Sequence, residues 1–534
     1  MTNHFATHRP LLMGTSWMIT ADHPLAARAG AAVLESGGNA VDAAIAANLV
    51  MTTVKPHMCG IGGDLFMLIH MAAGGTVEAL NASGRAPASA TLEAYRERGY
   101  RHVPETGIHT CTVPGTIAGW QAALEKHGTL GLDTLLAMAI PYAQNGFPVY
   151  PELVGILKER QDILKASGAA GETFLPGGEI PRVGRLMVQP QLARSYRMLM
   201  ENGPDAFYKG PLGEALVAHS EAMGGFFSEA DLARHTVEWE TPITSDYRGY
   251  TIATQPPNSQ GIALLMQANM LATRDLAAMA VDSAELVHLM VEAKKLAFVD
   301  RDAHVCDPAF HTIPIAEMLS PARAGNRIGL IDPDRAANGY DAQDFTRGGD
   351  DTVYLTVVDA DGNAVVLIQS LYEAFGSCEM VPETGMVLHN RGRGFSLDAA
   401  HPNVLAPSKR PYHTLHPVMI LKDGRPAILL GTPGADGQTQ TNIQLAIDLI
   451  DFDADPQQAN EAPRWRSNPD GSLMMENRFP EKTIASLKAK GHDVRVVEDY
   501  AEIMGSSQVI TIDRENGVLA AGADPRRQAY AIGK

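Results

Sequence analysis

The stretch GGDDTVYLTVVDADGNAVVLIQS, residues 348–370, decides how this chain is read. Two glycines and two aspartates run into Thr352, and apolar residues then fill two short segments around the turn ADGN, which predicts a β-hairpin. Three readings of Asp350-Asp351-Thr352 are open. It is an ordinary turn, because Gly and Asp favour turns. It is an acid pair for a metal ion, which would need further oxygen ligands converging on the same point. Or it is a place where the chain is cut, so that Thr352 becomes an N-terminus. A threonine hydroxyl is a weak nucleophile without a base beside it, and a threonine at a chain start carries its own base, the free α-amine. That amine titrates at roughly 7.7 to 8.0, so part of it is neutral near physiological pH. An internal threonine lacks this base, and the Asp351–Thr352 bond has to be broken first. The threonine's own hydroxyl can attack that carbonyl if a Gly-rich lead-in holds the backbone strained.

At 534 residues, with 45% hydrophobic and 19% charged residues, the chain can bury a large core. Lys plus Arg number 43 against 61 Asp plus Glu, a net charge of -18, which argues against a nucleic-acid partner. The four cysteines, Cys59, Cys111, Cys306 and Cys378, are scattered without a CxxC pair and read as reduced thiols. The N-terminus has no apolar run behind a basic region and no segment approaches a membrane span, so a cytoplasmic location without membrane contact is expected.

Residues 26–51 predict two closely packed helices, broken at Gly37-Gly38, with Asn39 capping the second. PHMCGIGGDLFMLIHM follows as a glycine-rich turn feeding a strand. No Lys-Ser or Lys-Thr comes after the glycines, and strand replaces the helix that a phosphate loop requires. Residues 112–300 read as largely helical, and 307–351 as an irregular connection. Beyond 351 consecutive strands and hairpins take over, followed by the helix QTNIQLAIDLIDF. The change of texture coincides with Thr352.

Many ordered segments of this chain resemble the γ-glutamyltransferase (γ-glutamyltranspeptidase) family of N-terminal-nucleophile hydrolases. They include GGNAVDAAIAANLV, PHMCGIGGDLFMLI, RAPASAT, VPGTIAGW at 113–120, QPPNSQG at 255–261, KLAFVDRD at 295–302, TVYLTVVDADGNAV, FGS at 375–377, NRGRGFS at 390–396, SKRPYHTLHP at 408–417 and GTPGADGQ at 431–438. The resemblance implies an α+β fold, a four-layer αββα sandwich. It also implies cleavage between Asp351 and Thr352 into a helix-rich large portion, 1–351, and a small portion, 352–534, that stay together as an αβ heterodimer or pair further.

By the same resemblance Thr352 is the nucleophile of both self-cleavage and catalysis. Ser370 falls where the family has a threonine that hydrogen-bonds the nucleophile. Gly434 and Ala435 match paired glycines whose N–H groups form the oxyanion hole, a role that survives Gly→Ala because the donor is backbone. Thr356, four residues along an extended strand from Thr352, shares its face and supports the site or simply packs. The substrate positions depart from the family. Ser83 stands where the family has its glutamyl-binding arginine, two positions before Arg85, and Tyr372 replaces an asparagine. Gly394 falls where an acid holds the substrate α-amine, with Asp398 a few residues on, and His413-Thr414 replace paired serines. Arg85, Arg391 and Arg393 are cations suited to a carboxylate, with scaffold ion pairs as the alternative, and His413 contacts substrate or packs. These departures point to an oxamate-amidohydrolase-like or acylase-like branch that cleaves a small carboxylate-bearing amide through an acyl-enzyme, with no cofactor and no metal. A true γ-glutamyltransferase or glutathione hydrolase, and an uncleaved, catalytically silent binding protein, remain the alternatives.

Overall fold

The computed structural model describes residues 7–337 and 351–534; Gly348, Gly349 and Asp350 of the lead-in lie outside them. Two seven-stranded antiparallel sheets face each other. The first runs Tyr530–Gly533, Met18–Ala21, Asp351–Val358, Ala364–Tyr372, Asp64–His70, Val77–Ala82 and Glu238–Glu240 in spatial order. The second runs Leu12–Gly14, Val518–Ala523, Gln508–Asp513, Arg425–Gly431, Val418–Lys422, Tyr250–Thr254 and Ile243–Tyr247. Helices cover both outer faces. Pro24–Glu35, Ala40–Val54 and Thr116–His127 pack on the first sheet, and Gly261–Leu271, Ala284–His304 and Gly437–Ile450 on the second. The result is the four-layer αββα sandwich.

The predicted helix pair is present, and Asn39 caps Ala40–Val54 by accepting the Val41 and Asp42 N–H groups while Asp42 accepts the Asn39 N–H. Every residue of that helix is buried, which explains its near-continuous run of small and apolar residues. The hairpin predicted from ADGN pairs Asp351–Val358 with Ala364–Tyr372, with a register irregularity between Asp351 and Val353. The glycine-rich turn at 60–63 serves backbone packing. The Gly63 carbonyl accepts the N–H groups of both Gly115 and Thr116, at 3.0 Å each.

Strand alternation sorts the hairpin into two cores. Val353, Leu355 and Val357 join the helix-facing core, while Tyr354 and Val358 join the core between the sheets. Both sheets draw strands from before and after Thr352, so the two portions interleave. The 307–351 connection carries the short helices Ile315–Met318 and Pro321–Ile328. No helix among the described residues is long and apolar enough to cross a membrane, and the four cysteines are unpaired and buried.

Tyr354 ties the sheets together. Its hydroxyl donates to the Leu430 carbonyl at 2.6 Å and accepts the Val418 N–H at 3.0 Å. A Cβ on Gly431 would lie 1.9 Å from the Tyr354 ring, so only glycine leaves room for this bridge. Gly431→Ala is therefore expected to destabilise the fold by about 1–3 kcal/mol through overpacking, read as a lowered thermal unfolding midpoint.

Candidate active site

Thr352 is buried at the register irregularity, and its hydroxyl donates to Ser370 Oγ at 3.1 Å. Ser370 in turn donates to the Asp351 carbonyl at 2.7 Å and accepts the Tyr372 N–H at 2.6 Å. A proton path thus runs from the Thr352 hydroxyl through Ser370 to the carbonyl oxygen of the preceding peptide bond. Thr356 lies further along the strand, hydrogen-bonded to Thr20 at 2.7 Å in the interior of the sheet.

The strand beside Thr352 ends at Ala21, and the side chain of Asp22 continues the pairing. One oxygen accepts the Tyr354 N–H at 3.1 Å, and the other accepts from Ser506 Oγ at 2.7 Å and Gln508 Nε2 at 3.1 Å. The Ser506 N–H reaches Thr432 Oγ1 at 3.1 Å, so Asp22 links the Thr352 strand to the 431–436 loop. Burial raises the Asp22 pKa against the pull of Lys55 and its hydrogen bonds.

That loop carries Gly434 and Ala435 at φ 126° and 44°, just before the Gly437–Ile450 helix. Among the described residues no group accepts the Gly434 or Ala435 N–H. Such paired donors at a helix start suit a developing oxyanion. Gln260 braces the loop: its Nε2 donates to the Ala435 carbonyl at 2.9 Å and to the Thr414 carbonyl at 2.7 Å. Its Oε1 accepts from Arg301 at 2.9 Å and Tyr412 at 2.8 Å, and Arg301 is ion-paired with Asp436 at 2.8 Å. Gln260, Arg301 and Asp22 were not singled out in the sequence. Gln260 and Arg301 sit in QPPNSQG and KLAFVDRD, where the local sequence gives no sign of their long-range partners.

The three arginines separate sharply. Arg85 is ion-paired with Glu238 at 2.7 Å, a carboxylate it shares with Arg410. Arg393 is held by Glu373 and by Glu105. Arg391 is 1% exposed, stacks over the Tyr372 ring at 4.1 Å and donates one hydrogen bond, to Thr414 Oγ1 at 2.9 Å. Its Nε and Nη2 have no partner, and burial lowers its pKa to about 10. A buried guanidinium with an open donor pair is costly unless an anion completes it.

The acid positions differ from one another as well. A Cβ on Gly394 would lie 2.6 Å from the Tyr412 carbonyl, so no carboxylate side chain fits there without moving the backbone. Asp398 is exposed and accepts the Ala400 N–H. A different acid, Asp64, is fully buried and accepts from His413 Nε2 at 3.1 Å and from the Gly84 N–H at 3.0 Å. Desolvation lifts its pKa to about 7 against the pull of Arg391. Among the described residues His288, Glu292 and His492 have the spacing of a metal site. Their groups are engaged, His288 with His492 and the Asp332 carbonyl, and Glu292 with Lys295.

The family model for gamma-glutamyltranspeptidase matches residues 26–534. The chain belongs to this family. It is an N-terminal-nucleophile hydrolase by that membership. The glutathione hydrolase-like YwrD proenzyme of Bacillus subtilis is 40% identical over 98% of the chain and 99% of its own length. The oxamate amidohydrolase proenzyme of Klebsiella pneumoniae is 38% identical over 98% and 99%. The crystal structure of cephalosporin acylase from Bacillus halodurans superposes with a TM-score of 0.94 at 36% identity, covering 99% of this chain and 98% of that one.

Arg301→Met takes the guanidinium from Asp436 and Gln260 together. Loss of one partner of a buried ion pair costs about 3–5 kcal/mol, so denaturant unfolding is expected to shift by that amount, with a lowered kcat from the loosened 434–435 loop.

Proposed function

We propose that this family member is an autoprocessing amidohydrolase whose small chain begins at Thr352, and that its preferred acyl group carries a carboxylate and no free α-amine. The observation that carries the substrate reading is Arg391, buried and stacked on Tyr372 with two donors open. Arg85 and Arg393 are occupied by carboxylates of the protein, so Arg391 is the cation left to receive one from substrate. The family relatives named as oxamate amidohydrolase and cephalosporin acylase support the same reading.

Self-cleavage begins when Thr352 Oγ attacks the Asp351 carbonyl carbon. The Thr352 proton passes to Ser370, whose own proton passes to the carbonyl oxygen. Collapse breaks the C–N bond as the proton on the former carbonyl oxygen passes to the departing nitrogen; this leaves an ester on Thr352, which water hydrolyses to the Asp351 carboxylate and a free Thr352 α-amine. In turnover that amine accepts the hydroxyl proton and the oxygen attacks the amide carbonyl. The Gly434 and Ala435 N–H groups meet the oxyanion, and ammonia or an amine leaves with the proton. Water then resolves the acyl-enzyme.

A γ-glutamyltransferase is the second reading, and Asp64 is the observation that favours it, since a buried carboxylate could hold an α-ammonium. Three p-nitroanilides separate the two. Glutaryl anilide carries the carboxylate alone, γ-glutamyl anilide adds the amine, and butyryl anilide has neither. The proposal expects glutaryl to exceed both in kcat/KM, and Arg391→Met to abolish its advantage over butyryl. Faster turnover of γ-glutamyl than of glutaryl anilide would favour the transferase.

Thr352→Ala is expected to run as one uncleaved chain on denaturing gels and to be inactive. Ser370→Ala removes a hydrogen bond to the scissile carbonyl, and cleavage should slow by about 10²- to 10³-fold, with Ser370→Thr restoring it. Cleavage of Thr352→Ala at the same bond would show that another group is the nucleophile.

A further inference from the structure

Asp64 lies beside Ser370 in the first sheet. The two residues are directly paired across adjacent strands, so their side chains lie on one face of the sheet. His413 and His389 flank the carboxylate, with His389 Nε2 3.8 Å from Oδ1. The hydrogen bonds identify both tautomers. His413 Nδ1 accepts the Leu415 N–H at 3.2 Å and His389 Nδ1 accepts the Arg391 N–H at 3.0 Å, so each ring carries its proton on Nε2, directed to Asp64 in His413 and to Thr112 Oγ1 at 3.5 Å in His389. Burial, reinforced by the Arg391 charge, lowers both histidine pKa values, and the rings stay neutral.

We propose that Asp64 is a specificity-determining positioning residue: it takes up a proton when a substrate carboxylate seats on Arg391 and releases it when the site empties. This rests on the carboxylate reading of Arg391 given above. The titratable or charged groups facing Asp64 are Arg391, Arg410, His389, His413 and Tyr208. Arg410 is ion-paired with Glu238, and the Tyr208 hydroxyl donates to the Pro114 carbonyl. The Thr352 α-amine of the processed chain lies beside Ser370 and is the further charged group; above about pH 8, where that amine is largely neutral, the local charge reduces to Arg391 and Asp64. With Asp64 ionised, the empty pocket is neutral. A substrate carboxylate then adds an uncompensated buried negative charge, which a low-dielectric site tolerates poorly. Protonation of Asp64 restores neutrality without moving a side chain.

Burial has already raised the Asp64 pKa to about 7, so the proton is accessible near neutral pH. The sign follows. Below that pKa Asp64 is protonated in the free enzyme and anion binding is insensitive to pH. Above it each bound anion must bring a proton, and affinity falls toward ten-fold per pH unit. The Thr352 amine acts in the opposite sense, because kcat rises as that amine loses its proton. The Asp64→Asn variant retains that amine, so its comparison with wild type isolates the contribution of Asp64 to KM.

The test measures KM for glutaryl p-nitroanilide from pH 6 to 9. The processed enzyme is expected to hold KM level below about pH 7 and then rise toward ten-fold per unit. Asp64→Asn, checked as two chains on a denaturing gel, is expected to keep a low, level KM, about 30-fold below wild type at pH 8.5. A wild-type rise of KM in Asp64→Asn would overturn the proposal. Arg391→Met separates the two readings. If it keeps the glutaryl preference, the carboxylate reading falls and this proposal with it; if it loses that preference while Asp64→Asn retains the pH rise, Asp64 alone is overturned. A measurement on wild type is independent of how the variants fold. Calorimetric binding of glutarate at pH 8, in phosphate and in Tris, should show uptake of close to one proton per glutarate, and binding without uptake counts against the proposal.

Discussion

The Tyr354 phenol spans the gap between the two sheets, and most of the site depends on that one bridge. It is two residues from Thr352 and bonds to two adjacent strands of the opposite sheet, one of which ends at Gly431 and leads into the Gly434–Ala435 loop. The spacing between the Thr352 strand and the paired N–H groups is thereby set by one aromatic side chain and one missing Cβ. Asp22 adds a second connection through Ser506 and Thr432, and Gln260 a third from the Thr414 side. Three independent ties hold the loop, which lets it keep backbone donors unpaired in the interior without collapsing onto them.

The same interior explains the electrostatics. Most buried cations near the site are paired: Arg301 with Asp436 and Asp302, Arg393 with Glu373, Arg410 with Glu238. Arg391 is the exception, compensated across a gap by Asp64 and by the face of Tyr372. Loosely balanced charges of this kind respond to a ligand, whereas close ion pairs do not. A carboxylate entering such a pocket changes the protonation of its neighbours as well as its contacts.

Much of the architecture was legible in the sequence because it follows from local rules. The capped helix after Asn39, the hairpin around ADGN and the change from helix to strand texture at Thr352 all arise from periodicity, turn chemistry and capping. Ser370 beside Thr352 followed from family resemblance. What the sequence obscured were long-range pairings. Asp22 precedes a helix and reads as an ordinary turn residue, yet it caps a strand more than three hundred positions away. Asp64 opens the strand that follows a glycine-rich turn, and nothing local to it names His413 as its partner. Arg85, Arg391 and Arg393 looked alike because a residue's type says nothing about which carboxylate lies opposite.

By itself the sequence determined the family and the layered α+β fold and marked Thr352 as the candidate nucleophile, since these depend on ordered motifs and short-range patterns. Only the tertiary structure decided which of three arginines has donors to spare, why no acid side chain fits at residue 394, and which buried carboxyl answers Arg391. Those are questions of free volume and of charge balance in a low-dielectric interior, and they exist only once segments distant in the chain have been packed against one another.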